Sequence, residues 1–319
     1  VVMAEEWHTV HTVMHLNWLL KRAGIQNRVT VLWNANNTFG FDRIDWPRLR
    51  ESAVITTVSR YMKHQIAQLG VEALVVPNGL SGEAFDPIPG AACAALRRQF
   101  RDRTTIVKMA RWDPDKRWLS AVEIVAAMKR AGWRPLLIAR GGAEPHGAEV
   151  LAAMSAHGLV RADRVWRRSG VDGILDALRG IESHIDVVNL LSHVDPYARR
   201  LLFRGSDAVL ANSSHEPFGL VGLEAMAAGG LACTGCTGED YALSGQNALV
   251  LETGEPQEFL GMFTRLCDAP EQARAMRHAG QLTARCFSWP EIVKRVLLPR
   301  VALASGQFRL APHLERVAH

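Results

Sequence analysis

The stretch SSHEPFGLVGLEAMAAGG carries two carboxylates, Glu216 and Glu224, eight positions apart, with a proline, a phenylalanine and two glycines between them. Pro217 and Gly219 forbid one continuous helix through both acids. Glu216 is therefore expected at the carboxyl end of the apolar strand AVLANSS, and Glu224 on the helix LVGLEAMAAG that follows the HEPFG turn. In an open α/β sheet, that rim is where ligands bind. The N–H groups of Phe218, Gly219 and Leu220 would point out of the helix start, where the helix dipole favours an anion such as a diphosphate. Gly219 removes a side chain where a phosphate must come close. Carboxylates accept hydrogen bonds well from a vicinal diol, so Glu224 could hold a ribose and Glu216 a sugar ring. The plain alternative for either acid alone is a first-turn residue that stabilises its helix.

A second group lies in IVKMARWDPDKRW, a strand running into a polar turn with Arg111 and Lys116 beyond its end. Two cations at a strand tip can clamp a diphosphate and stabilise the charge that develops as it leaves. Taken alone, the same residues also fit a solvated turn with a surface ion pair to Asp113 or Asp115. DPD could pass for an Asp-x-Asp metal site, but the two adjacent cations argue against a divalent metal there.

These groups need strand ends to hold them. Short β-branched runs alternate with longer helical patterns, the signature of parallel βαβ units. VVMA, VTVLWN, VITTVS and ALVVP are strand candidates in the first part. PNGLSGEAFDPIPG, rich in Pro and Gly, reads as a linker. TIVKMA, PLLIAR, DVVNLL, AVLANSS, LACTG and ALVLE follow and predict a six-stranded doubly wound sheet, after which the chain turns helical. The segment from Gly147 to Ser183 is longer than one helix needs and leaves room for an extra strand-helix unit. The domains expected are 1–84, 85–287 and 288–319. Val1 opens directly in a strand-like run without an initiator Met, so residues are expected to precede it.

The 319-residue chain is 48% hydrophobic and 22% charged, an ordinary globular balance that suits two domains. A net charge of +5 fits an anionic small ligand; a nucleic-acid partner would call for denser runs of Lys and Arg than any present. No apolar run approaches the ~20 residues of a membrane helix, and no signal peptide is visible. Cys233 and Cys236 form a lone C-x-x-C among five scattered cysteines. It lacks a second pair for zinc, so reduced structural thiols and a cytoplasmic location are expected. His8, His11 and His15 share a helix stripe with no carboxylate to complete a ligand set, and packing explains them better than a metal. Trp33, Trp46, Trp112, Trp118 and Trp133 suit a core more than a sugar-stacking platform.

ARWDPDK, VVPNGL, EPFGLVGLEAMAAGG and the ending FSWPEIVKRV, in this order and spacing, resemble family 4 glycosyltransferases (glycosyl transferase group 1) from Val1 to about Ala304. The resemblance implies an α/β GT-B fold: two Rossmann-like domains with parallel sheets facing a cleft, the first one incomplete here, and a C-terminal helix crossing back to it. It implies that Arg111 and Lys116 contact the donor diphosphate and that Glu216 bonds the transferred sugar. The backbone of Phe218, Gly219 and Leu220 would meet sugar and phosphates, and Glu224 the ribose. TGCTGEDY would be a further loop near the donor. Family members retain anomeric configuration, typically need no metal and carry no cofactor besides the donor substrate. The favoured mechanism is front-face attack, in which a phosphate oxygen takes the acceptor's proton.

The chain also departs from the pattern. Many relatives carry His-Asp-Trp or His-Glu-x after a first-domain strand; here AEEWHT places Glu5 at the histidine position, as an acid for an acceptor or sugar hydroxyl or as an ordinary rim residue. ANN matches the relatives' His-Asn, with Asn36 in the histidine's place and Asn37 beside it, cleft residues or turn formers. The relatives' first strand and glycine-rich loop are absent, which would leave a raw sheet edge for an oligomer partner, a second chain or a crossing helix to cover. Three functions follow: a retaining, metal-independent glycosyltransferase acting on a nucleotide sugar and a carbohydrate or other hydroxyl acceptor; a nucleotide-sugar-binding chain without transfer activity, degenerate or half of a two-chain enzyme; and an epimerase, disfavoured by the acid pair around the Phe-Gly turn.

Overall fold

The computed structural model describes residues 1–214, 216–238 and 240–305. The chain divides into two compact units, residues 1–79 with the segment from Phe287 onward, and residues 80–286.

The first unit holds four parallel strands paired in sequence order: β1 (Val2–Glu5), β2 (Val31–Ala35), β3 (Val54–Thr57) and β4 (Leu74–Val75). β2 is central and almost wholly buried, as its Val-Leu-Trp run requires, whereas β1 is largely exposed. The helix Val10–Arg22 buries Val10, Val13, Met14, Asn17 and Leu20, the i, i+3, i+4, i+7 stripe of an amphipathic helix. Ser59 caps the helix Arg60–Ala67 by accepting from the Met62 N–H at 3.0 Å. The C-terminal helical segments, Trp289–Ile292, Val293–Leu297 and Leu298–Ala304, belong to this unit, as the resemblance implies. Trp289 lies so close to Gly79 that a Cβ there would come within 2.5 Å of the indole.

The second unit is a parallel sheet of seven strands: β5 (Thr104–Met109), β6 (Pro135–Arg140), β7 (Arg161–Arg164), β8 (Val187–Leu190), β9 (Ala208–Ala211), β10 (Ala232–Thr234) and β11 (Leu249–Val250). Their order is β11-β10-β9-β5-β6-β8-β7. Without β7 this is the doubly wound dinucleotide-binding order, with its reversal between β5 and β9. The sequence reading of six strands is corrected by β7, which pairs in parallel with β8 in the register Arg161↔Val187. Its RADR residues are exposed or half-buried and form no apolar run, so only the surplus length of the segment announced it. Trp33, Trp46, Trp112 and Trp118 are buried, and Trp133 packs against the core of the second unit. Among the described residues no helix is long and apolar enough to cross a membrane, and all five cysteines are free thiols.

Candidate functional site

β5 and β9 are neighbours, paired Ile106↔Ala208 and Val107↔Val209, so the loops leaving their carboxyl ends flank the point where the strand order reverses. Arg111 and Lys116 ride on the first loop, and Glu216 through Leu220 on the second. The first loop is stiffened by Asp113, whose carboxylate accepts from the Asp115 N–H at 2.9 Å. The Arg111 carbonyl accepts from the Trp118 indole at 2.8 Å. Arg117, at φ 49°, is in the left-handed region that non-glycine residues seldom enter, and its guanidinium donates to the Thr253 carbonyl at 3.1 Å. The two loops are stitched together where the Ser214 N–H donates to the Asp115 carbonyl at 2.8 Å.

Across that stitch Lys116 Nζ pairs with the Glu216 carboxylate, both side chains being largely buried at 16% and 14% exposure. Burial, then the nearby Arg111 charge, lowers the Lys116 ammonium below its ordinary value, while Asp113 and Asp115 act in the opposite sense. Arg111 is 68% exposed, with only a loose contact to Asp113 at 3.8 Å, so its guanidinium can swing to an anion.

The helix Leu220–Ala228 starts behind this pair. Gly219 is its N-cap at φ +80°. The Tyr241 hydroxyl donates to the Gly219 carbonyl, and its ring lies 5.7 Å from that of Phe218. Phe218 is buried, so this residue can offer a ligand its backbone but not its ring. Gly219→Ala is expected to lower stability by about 1 kcal/mol, the cost of a left-handed L-residue, measured by urea denaturation. Glu224 lies one turn into the helix with its Oε1 3.1 Å from Nη2 of Arg199. Burial raises the Glu224 carboxyl above its ordinary value, and Arg199 opposes the shift. TGCTGEDY falls partly outside the described residues, at Glu239.

Sequence reasoning missed Lys108, Arg199 and Asn212, and reached Tyr241 only as the end of the loop TGCTGEDY, with no role of its own. Lys108 had a visible signal, a cation inside the apolar strand TIVKMA; the rest become notable only through partners distant in sequence. Lys108 is 1% exposed on β5. It donates to the Asn212 amide oxygen at 2.6 Å. Burial lowers its ammonium from 10.5 to about 7, helped by Lys116 and Arg117. Between those two values the unfolded chain holds a proton that the folded chain lacks, so this residue's cost is full below pH 7 and relieved as pH rises. Lys108→Met should thus stabilise the protein by about 1–2 kcal/mol at pH 7, after loss of the hydrogen bond to Asn212 is counted, and by less at pH 10. Thermal melts at both pH values check this.

Glu5 and Asn36 sit together in the first unit, at the carboxyl ends of β1 and β2. The Asn36 amide donates to Glu5 Oε2 at 2.5 Å. The neighbouring Glu6, at φ 68°, accepts from the Asn36 N–H at 3.0 Å and from the Asn37 amide at 3.1 Å. Among the described residues no cluster of His, Cys, Asp and Glu is arranged to hold a metal.

Comparison with known proteins places this geometry. Residues 169–283, a little over a third of the chain, match the family "Glycosyl transferases group 1". A D-inositol 3-phosphate glycosyltransferase from Thermomonospora curvata is 23% identical over 178 residues, covering 51% of this chain and 41% of the relative. One from Segniliparus rotundus is 33% identical over 114 residues, 35% of this chain and 25% of the relative. The chain thus matches less than half the length of either relative. Among solved structures, Anabaena HepE in complex with UDP superposes with a TM-score of 0.69 at 15% identity, over 94% of this chain and 79% of that one. Sucrose-phosphate synthase from Thermosynechococcus elongatus gives 0.66 at 18% identity, over 95% and 73%. These similarities establish the GT-B fold, and the segment bearing Glu216, the Phe218–Leu220 turn and Glu224 is the part of the chain that matches the group 1 glycosyl transferases.

Proposed function

We propose that this chain transfers a sugar from a nucleoside-diphospho-sugar to an acceptor hydroxyl, with retention and without a metal. The observation that carries the reading is the Lys116–Glu216 pair, set at the switch point of the sheet in front of the helix start at Gly219. An arriving diphosphate would share Lys116 with Glu216, draw in Arg111 and take hydrogen bonds from the backbone at Gly219 and Leu220. Glu216, sharing the ammonium, would accept from hydroxyls of the transferred sugar, and Glu224, held by Arg199, from the ribose. Fixed positive charge then stabilises the leaving diphosphate, and the group needed most in the transition state is a cation rather than a protein nucleophile. In front-face attack the acceptor oxygen bonds the anomeric carbon as the bond to the β-phosphate oxygen breaks, and the acceptor's proton passes to that phosphate. Glu5 and Asn36 would contribute to sugar or acceptor hydroxyls. The HepE structures in complex with UDP and with UDP-glucose support this class of donor.

A second reading, nucleotide-sugar binding without transfer, draws on the first unit, where Glu5 and Asn36 bond each other. The test is to incubate the protein with UDP-glucose, GDP-mannose and ADP-glucose, an acceptor panel and EDTA, and to follow products by NMR. An α-linked product, in the donor's configuration, supports the proposal. Donor binding without turnover supports the second reading, and inversion or full loss on chelation contradicts the mechanism.

A further inference from the structure

Lys108 is a buried cation that the proposed chemistry does not use. It stands on β5 beneath the loop that carries Lys116. Its Nζ lies 2.6 Å from the Asn212 amide oxygen, 3.5 Å from the Leu210 carbonyl and 5.2 Å from the centre of the Trp118 ring. These partners can solvate an ammonium only in part, since none carries a full negative charge. The charged groups facing it from the neighbouring turn are both cations, Lys116 and Arg117. From β6 its register partner is Ala139, and the next charged residue, Arg140, is bonded to the Ser192 carbonyl at 3.0 Å. Among the described residues no carboxylate pairs with Lys108.

Asn212 follows β9 directly, on the same loop as Glu216, while Lys116 belongs to the turn that follows β5. A negative charge brought to Lys116 therefore acts on Lys108, whose buried ammonium is already disfavoured by the charge of Lys116. We propose that Lys108 is a proton-switched positioning residue, taking a proton from solvent when a nucleoside-diphospho-sugar binds above it and returning that proton when the diphosphate leaves. The neutral amine becomes an ammonium, the proton coming from buffer or water, and no other bond changes. The ammonium keeps its hydrogen bond to Asn212 and so holds the loop of Glu216 against that of Lys116 while the ligand is present. When the site is free, loss of the proton spares the protein a buried cation without a carboxylate partner beside Lys116 and Arg117.

This inference rests on the proposed diphosphate site, and its test separates the two. Calorimetric titration with UDP-glucose, GDP-mannose and ADP-glucose in buffers of different ionisation enthalpy measures protons taken up per ligand. These sugar nucleotides have no phosphate that titrates near neutrality. Near pH 7.5 the wild type should take up about half a proton, the difference between a group titrating near 7 and one shifted upward by an adjacent anion. At pH 5.5, where Lys108 is already charged, uptake should approach zero. Lys108→Met, which the buried cost of the amine favours folding, should bind about tenfold more weakly at pH 7.5 with uptake near zero. Binding by the wild type without proton uptake, or equal uptake by Lys108→Met, overturns the inference and leaves the diphosphate site standing. No binding of any of the three sugar nucleotides overturns both.

Discussion

Lys116→Ala is expected to lower donor turnover by at least ~100-fold, the scale of one lost contact to charge developing in a transition state. The substitution does more than remove a cation. Lys116 Nζ is paired with Glu216 where both side chains are mostly shielded from water. Without it the Glu216 carboxylate is left half-desolvated, repels a diphosphate and points less firmly at a sugar. The loss should therefore appear in kcat and in kcat/KM together, as for an interaction that strengthens as the leaving group departs. Arg111→Ala should be milder, because that guanidinium is exposed and only loosely held by Asp113. Steady-state rates with the active donor check both variants. An unchanged rate for Lys116→Ala would return it to the status of a surface residue.

Glu224→Ala should weaken nucleotide-sugar binding about 10- to 100-fold, the worth of one or two hydrogen bonds to an ionised group, while leaving inorganic pyrophosphate binding nearly unchanged. The contrast arises because Glu224 lies one turn beyond the helix start, away from the Lys116–Glu216 pair, and its partner is Arg199. Removing the acid frees a cation, so pyrophosphate has nothing to lose and a little attraction to gain. Equal losses for the two ligands would contradict a ribose role. Since burial raises the Glu224 carboxyl, the wild type's preference for the nucleoside over bare pyrophosphate should shrink as pH falls through the carboxylate range.

Much of this was legible in the residues. Buried parallel strands announce themselves as apolar β-branched runs, and Pro217 with Gly219 forced the break that puts Glu216 at a strand end and Glu224 on a helix. The order of the strands, with the reversal between β5 and β9, placed both loops where ligands bind. What escaped is what depends on pairing across the fold. Lys108 meets Asn212 over 104 positions, and no local pattern marks the pair. Arg199 sits on the helix Pro196–Gly205 as an ordinary charged residue until that helix lies beside Glu224. In AEEWHT the two acids are indistinguishable by type, and resemblance points to Glu5. The positive φ of Glu6 turns its carboxylate onto Asn36 and Asn37, and a local dihedral of that kind leaves no trace in composition. β7 escaped because an edge strand with three charged residues in its four has no apolar signature.

The measurement that bears most directly on the whole proposal is electron density for crystals soaked in UDP-glucose. The expected map shows the diphosphate between Lys116 Nζ and the backbone of Gly219 and Leu220, with Arg111 swung toward it and the ribose hydroxyls on Glu224. Density for the nucleotide elsewhere, with the Lys116–Glu216 pair untouched and Arg111 still turned to Asp113, would contradict it.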